Sequence, residues 1–134
     1  MSAFKLIDYS QAGALQEVDQ ISVATAEQLR DVLNGFREPR PRIVHLVSPE
    51  GNLLTIGVGG EHASVGFTEA SGDPPYLMAR GTSDDYDTDV EFSLGGTPTP
   101  IAMAYILPFD KMVAIAEEFL STGKLPAVIE WEEV

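Results

Sequence analysis

RIVHLVSPEGNLLTIGVGGEHASVGFT, residues 42–68, is the stretch that decides the fold. Arg42 to Val47 is an apolar run. Pro49-Glu50-Gly51-Asn52 breaks it with turn formers, and Leu53 to Val58 resumes it, which predicts a β-hairpin. Gly59-Gly60 marks a second turn, and Ala63 to Thr68 makes a third strand of an antiparallel meander.

Upstream, Phe4 to Tyr9 and Leu15 to Val23 read as strands. Between them and the meander, Thr25-Ala26-Glu27-Gln28 has the form of a capping box, so a helix begins there. Ala26, Leu29, Val32, Leu33 and Phe36 then follow helical spacing and give one apolar stripe. Asn34-Gly35 suits a left-handed exit, and Pro39 and Pro41 forbid continuation. Arg37, Arg40 and Arg42 in that exit are the one dense basic cluster. Such a cluster either docks an acidic group or sits in solvent beside local carboxylates.

Downstream, Ser71-Gly72-Asp73-Pro74-Pro75 is a loop and Tyr76 to Ala79 a short strand. From Asp85 to Leu94 the alternation is regular. Asp85, Asp87, Asp89 and Glu91 share one face of the expected strand, and Tyr86, Thr88, Val90, Phe92 and Leu94 share the other. Gly95-Gly96 and Pro98 turn the chain, and Ile101 to Leu107 is expected to return as a strand. A second helix starts near Pro108, carries Met112, Val113, Ala116, Phe119 and Leu120 on one stripe, and ends at Gly123. Val128 to Trp131 is the expected last strand. This order predicts an α+β fold, a single domain over residues 1–134, with a largely antiparallel sheet and two helices packed on one face.

Composition bounds the partners. The 134 residues carry 21 acids against 8 Lys and Arg, a formal net charge of −13. A phosphate backbone needs clustered Lys and Arg, so nucleic acid is excluded as a partner, and an anionic membrane surface fails for the same reason. A basic protein would be attracted. No run approaches the length of a membrane span, and Met1 to Asp8 lacks the basic and apolar regions of a secretory signal, so a cytoplasmic location is expected. There is no Cys, hence no disulfide, thiolate ligand or Cys nucleophile.

Chemistry-bearing patterns fall short. His45 lies in an apolar strand and His62 in a turn beside Glu61, too few ligands for zinc. Gly57-Val58-Gly59-Gly60 lacks the third glycine and the following helix of a dinucleotide loop. Asp85-Tyr86-Asp87-Thr88-Asp89 begins like a calcium loop, but Val90 and Gly96 stand where Gly and Glu are required. No catalytic residue, cofactor site or metal site is therefore assigned. The carboxylate row has two explanations: an edge strand that repels other chains, or a face that docks a basic partner. Residues after 80 hold eleven acids against Lys111 and Lys124, which favours docking.

Val90-Glu91-Phe92, Gly95-Gly96-Thr97-Pro98, Ile106-Leu107-Pro108 opening a helix, Glu118-Phe119-Leu120 with Thr122-Gly123-Lys124-Leu125-Pro126, and Val128-Ile129-Glu130-Trp131 follow one another in an order that resembles the first-numbered family of immunity proteins from bacterial polymorphic-toxin systems. Residues 86–134 carry the resemblance. The first 85 agree in general order and size.

The resemblance implies a small α+β protein, often encoded beside a deaminase-type toxin, that neutralises its cognate toxin by binding and catalyses nothing. A toxin that attacks nucleic acid needs a basic cleft, for which an acidic plug is a sensible antagonist. The expected partner-binding residues are Asp85, Asp87, Asp89, Glu91, Glu130, Trp131 and Glu132. Trp131 admits two readings, a core anchor for the last strand or a hot spot inserted into the partner. Two other classes stand beside this one: a small-ligand or regulatory domain, and an enzyme using paired carboxylates in a cleft.

Overall fold

The computed structural model describes residues 4–8, 19–36, 42–94 and 97–134. The chain order is β1 (Phe4–Asp8), β2 (Asp19–Val23), α1 (Ala26–Gly35), β3 (Arg42–Val47), β4 (Leu53–Gly59), β5 (His62–Thr68), β6 (Leu77–Ala79), β7 (Asp89–Leu94), β8 (Thr97–Ala102), β9 (Leu107–Pro108), α2 (Phe109–Thr122) and β10 (Trp131–Glu133). Eight strands form one antiparallel sheet in the order β10-β6-β5-β4-β3-β1-β2, with β9 on β5. Strands β7 and β8 form a separate two-stranded sheet. The fold is α+β, as expected.

The meander register explains the layering. Val44 pairs Ile56, which pairs Val65, and Leu46 pairs Leu54, which pairs Phe67. Paired residues share a face, so these six side chains point one way and all are buried. Leu29 and Leu33 of α1 and Met112, Ile115, Ala116 and Phe119 of α2 close on that face in one continuous core. Each large side chain fully removed from water there stabilises the domain by about 1.5–3 kcal/mol.

The opposite face carries small residues where the β7–β8 hairpin lies. A Cβ on Gly57 would come within 3.1 Å of the Phe92 ring. Phe92, Ile43 and Ile106 make a second, smaller core, with Val90, Ile101 and Met103 packed against it.

The helix ends follow local chemistry. The Thr25 hydroxyl accepts from the Gln28 amide at 3.1 Å, and Gln28 Oε1 accepts from the amide of Ala24, one residue before the cap. The first helix ends without the expected left-handed glycine: Gly35 is its last helical residue, and Phe36 caps it at φ −87°. The second ends as expected, at Gly123 with φ 70°. There Asn52 Nδ2 donates to the Gly123 carbonyl at 2.8 Å and ties the helix end to the β3–β4 turn.

Three expected strands are corrected. Residues 85–88 are a loop, and the strand begins only at Asp89. The cause is Asp85, whose carboxylate accepts from the amides of Asp87 and Thr88 at 2.9 and 3.0 Å and turns the backbone away from a ladder. Ile101 to Leu107 is not one strand either. It leaves the hairpin at Ala102, makes a 3-10 turn over Met103–Tyr105, and joins the main sheet at Leu107. Gly81 fixes that crossing: its amide donates to the Ala104 carbonyl at 2.7 Å, and a Cβ on it would sit 2.2 Å from the Ile106 oxygen. The last strand starts at Trp131 rather than Val128, because the chain doubles back so that Trp131 Nε1 donates to the Pro126 carbonyl at 2.7 Å. Tyr9, residues 15–18, Arg37, Arg40 and the Gly95-Gly96 turn lie outside the described residues.

Candidate partner-binding surface

The C-terminal edge of the main sheet gathers three of the seven expected docking residues, Glu130, Trp131 and Glu132. Strand β10 pairs β6 with Glu132 opposite Met78, and among the described residues no strand flanks its other side. The Arg80 amide extends the ladder to the Glu130 carbonyl at 2.9 Å, and the Val134 amide reaches the Tyr76 carbonyl at 2.9 Å. Side chains alternate on this strand. Trp131 turns toward the helices, its ring 6.3 Å from that of Phe67, and is half-buried against the core. Glu132 turns the other way, and Glu130 and Glu133 are exposed.

Glu132 sits at the centre of a polar cluster. Tyr86 donates to it at 3.0 Å, and Tyr105 donates to its other oxygen. The two tyrosine rings meet edge to face at 5.8 Å. Arg80 lies 5.3 Å over the Tyr86 ring, donates to the Tyr86 hydroxyl, and pairs with Asp84 at 3.0 Å. The loop after β6 is thereby tied to the edge strand. The hydrogen bond from Tyr105, then that from Tyr86, holds the Glu132 carboxyl below its usual range. Donation to that carboxylate pushes the Tyr105 phenol up to about 12.

The other expected docking residues lie differently. Asp85 and Asp87 are exposed in the loop. The Thr88 hydroxyl, and then the amides of Asp87 and Thr88, hold Asp85 below the carboxylate range. Asp89 and Glu91 stand exposed on the β7–β8 hairpin, on the separate sheet. The single row expected from alternation is therefore two groups. Tyr86, expected on the same strand face as Val90 and Phe92, instead is exposed in the loop and serves the edge. Arg80, Tyr86 and Tyr105 are the residues it missed; their only signal was two tyrosines and one arginine scattered among acids.

Apolar exposure follows the same edge. Among the described residues the exposed large apolar side chains are Tyr76, Tyr86, Leu125, Val128 and Val134. Three belong to the last ten residues, and the other two are hydrogen-bonded to that segment. Aromatic and aliphatic groups ringed by charge are the anatomy of a protein interface.

The remaining candidates do not converge. His45 is half-buried on β3, where burial lowers its pKa, and His62 is exposed at the start of β5. Among the described residues no three His, Asp or Glu side chains gather as metal ligands, and no helix is long and apolar enough to cross a membrane. Arg42 lies on β3 with its guanidinium 5.1 Å over the Phe36 ring.

No curated protein sequence matches the chain. The family model described as Immunity protein Imm1 matches residues 17–133, reaching well upstream of the C-terminal motifs. That span takes in both helices and all of the large sheet except β1. By this match the chain belongs to the Imm1 family of immunity proteins.

Proposed function

We propose that this immunity protein acts from the cytoplasm by plugging the basic active-site cleft of its cognate toxin, a deaminase or another enzyme that attacks nucleic acid. It performs no reaction itself. The supporting observation is the edge at β10. Glu130, Glu132 and Glu133 lie on or beside one edge strand, Arg80 and Tyr86 tie the Asp84 loop to it, and the chain carries a net charge of −13. A cleft shaped to hold a phosphate backbone presents Lys and Arg, and such a field both attracts this edge and speeds encounter.

In this reading Glu130 and Glu132 form the centre of the contact with Glu133 beside them, Asp85 and Asp87 flank it, and Asp89 and Glu91 steer from the hairpin. Trp131 anchors the strand from within and offers the rest of its ring to the partner. The test is co-expression with the toxin encoded by the neighbouring reading frame, followed by purification. The expected result is protection of the cell and a stable complex that weakens as salt rises. Cell death without any complex would refute the proposal.

A further inference from the structure

Two surface cavities bear on where an immunity protein of this shape grips its toxin. One, of about 420 Å³, lies between the helices, with Arg30, Asp31 and Asn34 of α1 facing Asp110 of α2. Its mouth is charged. The other, of about 360 Å³, opens beside the C-terminal edge, between Leu107, Pro108 and Ile129, with Arg80, Lys111 and Glu130 at its rim. Its walls are apolar.

We infer that this second cavity is the toxin's docking pocket, and that it takes one bulky apolar side chain from a toxin segment flanked by Lys or Arg. The inference rests on the immunity reading above and adds to it the place and chemistry of the anchor. A pocket of this volume exceeds what one large side chain fills, so an aromatic or branched aliphatic group enters with room for its backbone.

The charge around it selects the flanks. Arg80 is already engaged by Asp84 and Tyr86, and the Lys111 ammonium leans on the Val128 carbonyl at 3.4 Å. Glu130, the acid lining this pocket, remains exposed for a cation of the partner. Exposed Val128, next to the wall residue Ile129, extends the apolar surface outward.

The pocket is also preformed. The Arg80 amide is bonded to the Glu130 carbonyl and the Gly81 amide to the Ala104 carbonyl, which fixes the wall before a partner arrives. A preformed pocket loses little conformational freedom on binding, which is how one anchor dominates an interface.

Thr82 is exposed and lines the mouth, so Thr82→Arg obstructs the pocket without touching the core. Asn34→Arg makes the same charge change at the cavity between the helices and is the control. Affinity of each purified variant for the purified neighbouring toxin is measured at low salt and at about 0.5 M salt, where charge effects are screened.

The expected result is a loss of about 30-fold or more for Thr82→Arg at both salts, and less than about twofold for Asn34→Arg. Wild-type affinity for Thr82→Arg, a loss that vanishes at high salt, or a larger loss for Asn34→Arg would each overturn the pocket while leaving toxin binding intact. A toxin that the unaltered protein does not bind would overturn both readings.

Discussion

Two acid-bearing stretches, residues 84–91 and 130–133, carry the same charge and are built differently. In the first, Asp85 is turned onto its own backbone, and Asp89 and Glu91 ride on a two-stranded hairpin held by a core of three buried residues. In the second, the strand belongs to the eight-stranded sheet, Trp131 is packed against the main core, and Glu132 is held by two tyrosine hydroxyls. Charge alone attracts from a distance. Charge fixed in place binds, because less freedom is lost on contact. In the proposed reading the hairpin steers and the edge grips.

The largest effect comes from removing what lies under the edge. Phe119 is fully buried, 6.2 Å from Phe67, which in turn meets Trp131. Phe119→Ala should cost about 3–5 kcal/mol in urea unfolding. A midpoint that barely moves would show that the edge does not depend on this stack.

Charge reversal separates grip from steering. Glu130→Lys with Glu133→Lys should weaken toxin binding by about 100-fold, mostly through faster dissociation. Asp89→Lys with Glu91→Lys should cost about 10-fold, mostly through slower association, and flatten the salt dependence. Unchanged affinity of the second pair at low salt would remove the hairpin from the docking face. Equal losses in dissociation rate would erase the distinction.

The pH dependence is smaller. Because the Glu132 carboxyl is held below its ordinary value in the folded chain, its contribution is complete above the usual carboxylate range. It is lost as pH falls through the depressed value. Glu132→Gln should therefore melt below the wild type at neutral pH, with the gap closing in acid; a constant gap would contradict the assignment.

The smallest effect is spectroscopic. Tyr105 should ionise at about 12 in an ultraviolet titration, and Glu132→Gln should return it toward its usual value of 10.0. The sign is that of a raised group, with stability present below the ordinary phenol value and lost as pH climbs through the higher one.

The meander was legible because its apolar runs are bounded by the turn formers of Pro49 to Asn52 and Gly59-Gly60; the register that pairs Val44 with Ile56 and Ile56 with Val65 came from the structure. The break at 85–88 was not. Aspartates spaced by two residues look the same whether they line a strand or one of them caps a turn, and only the hydrogen bonds from Asp87 and Thr88 decide. The late start of the last strand depends on a bond from Trp131 to Pro126, made after the chain has folded back. The apolar pocket was out of reach, since residues 80–82, 107–108, 111 and 129–130 meet only in three dimensions. The acidic edge could be read from composition near the C-terminus, but its tyrosine clamp could not.

A structure of the complex with the toxin is the most direct measurement. The account predicts Glu130 and Glu133 within salt-bridge distance of toxin Lys or Arg side chains, with the strand β10 edge covered. An edge left facing solvent while α1 or another region meets the toxin would contradict it.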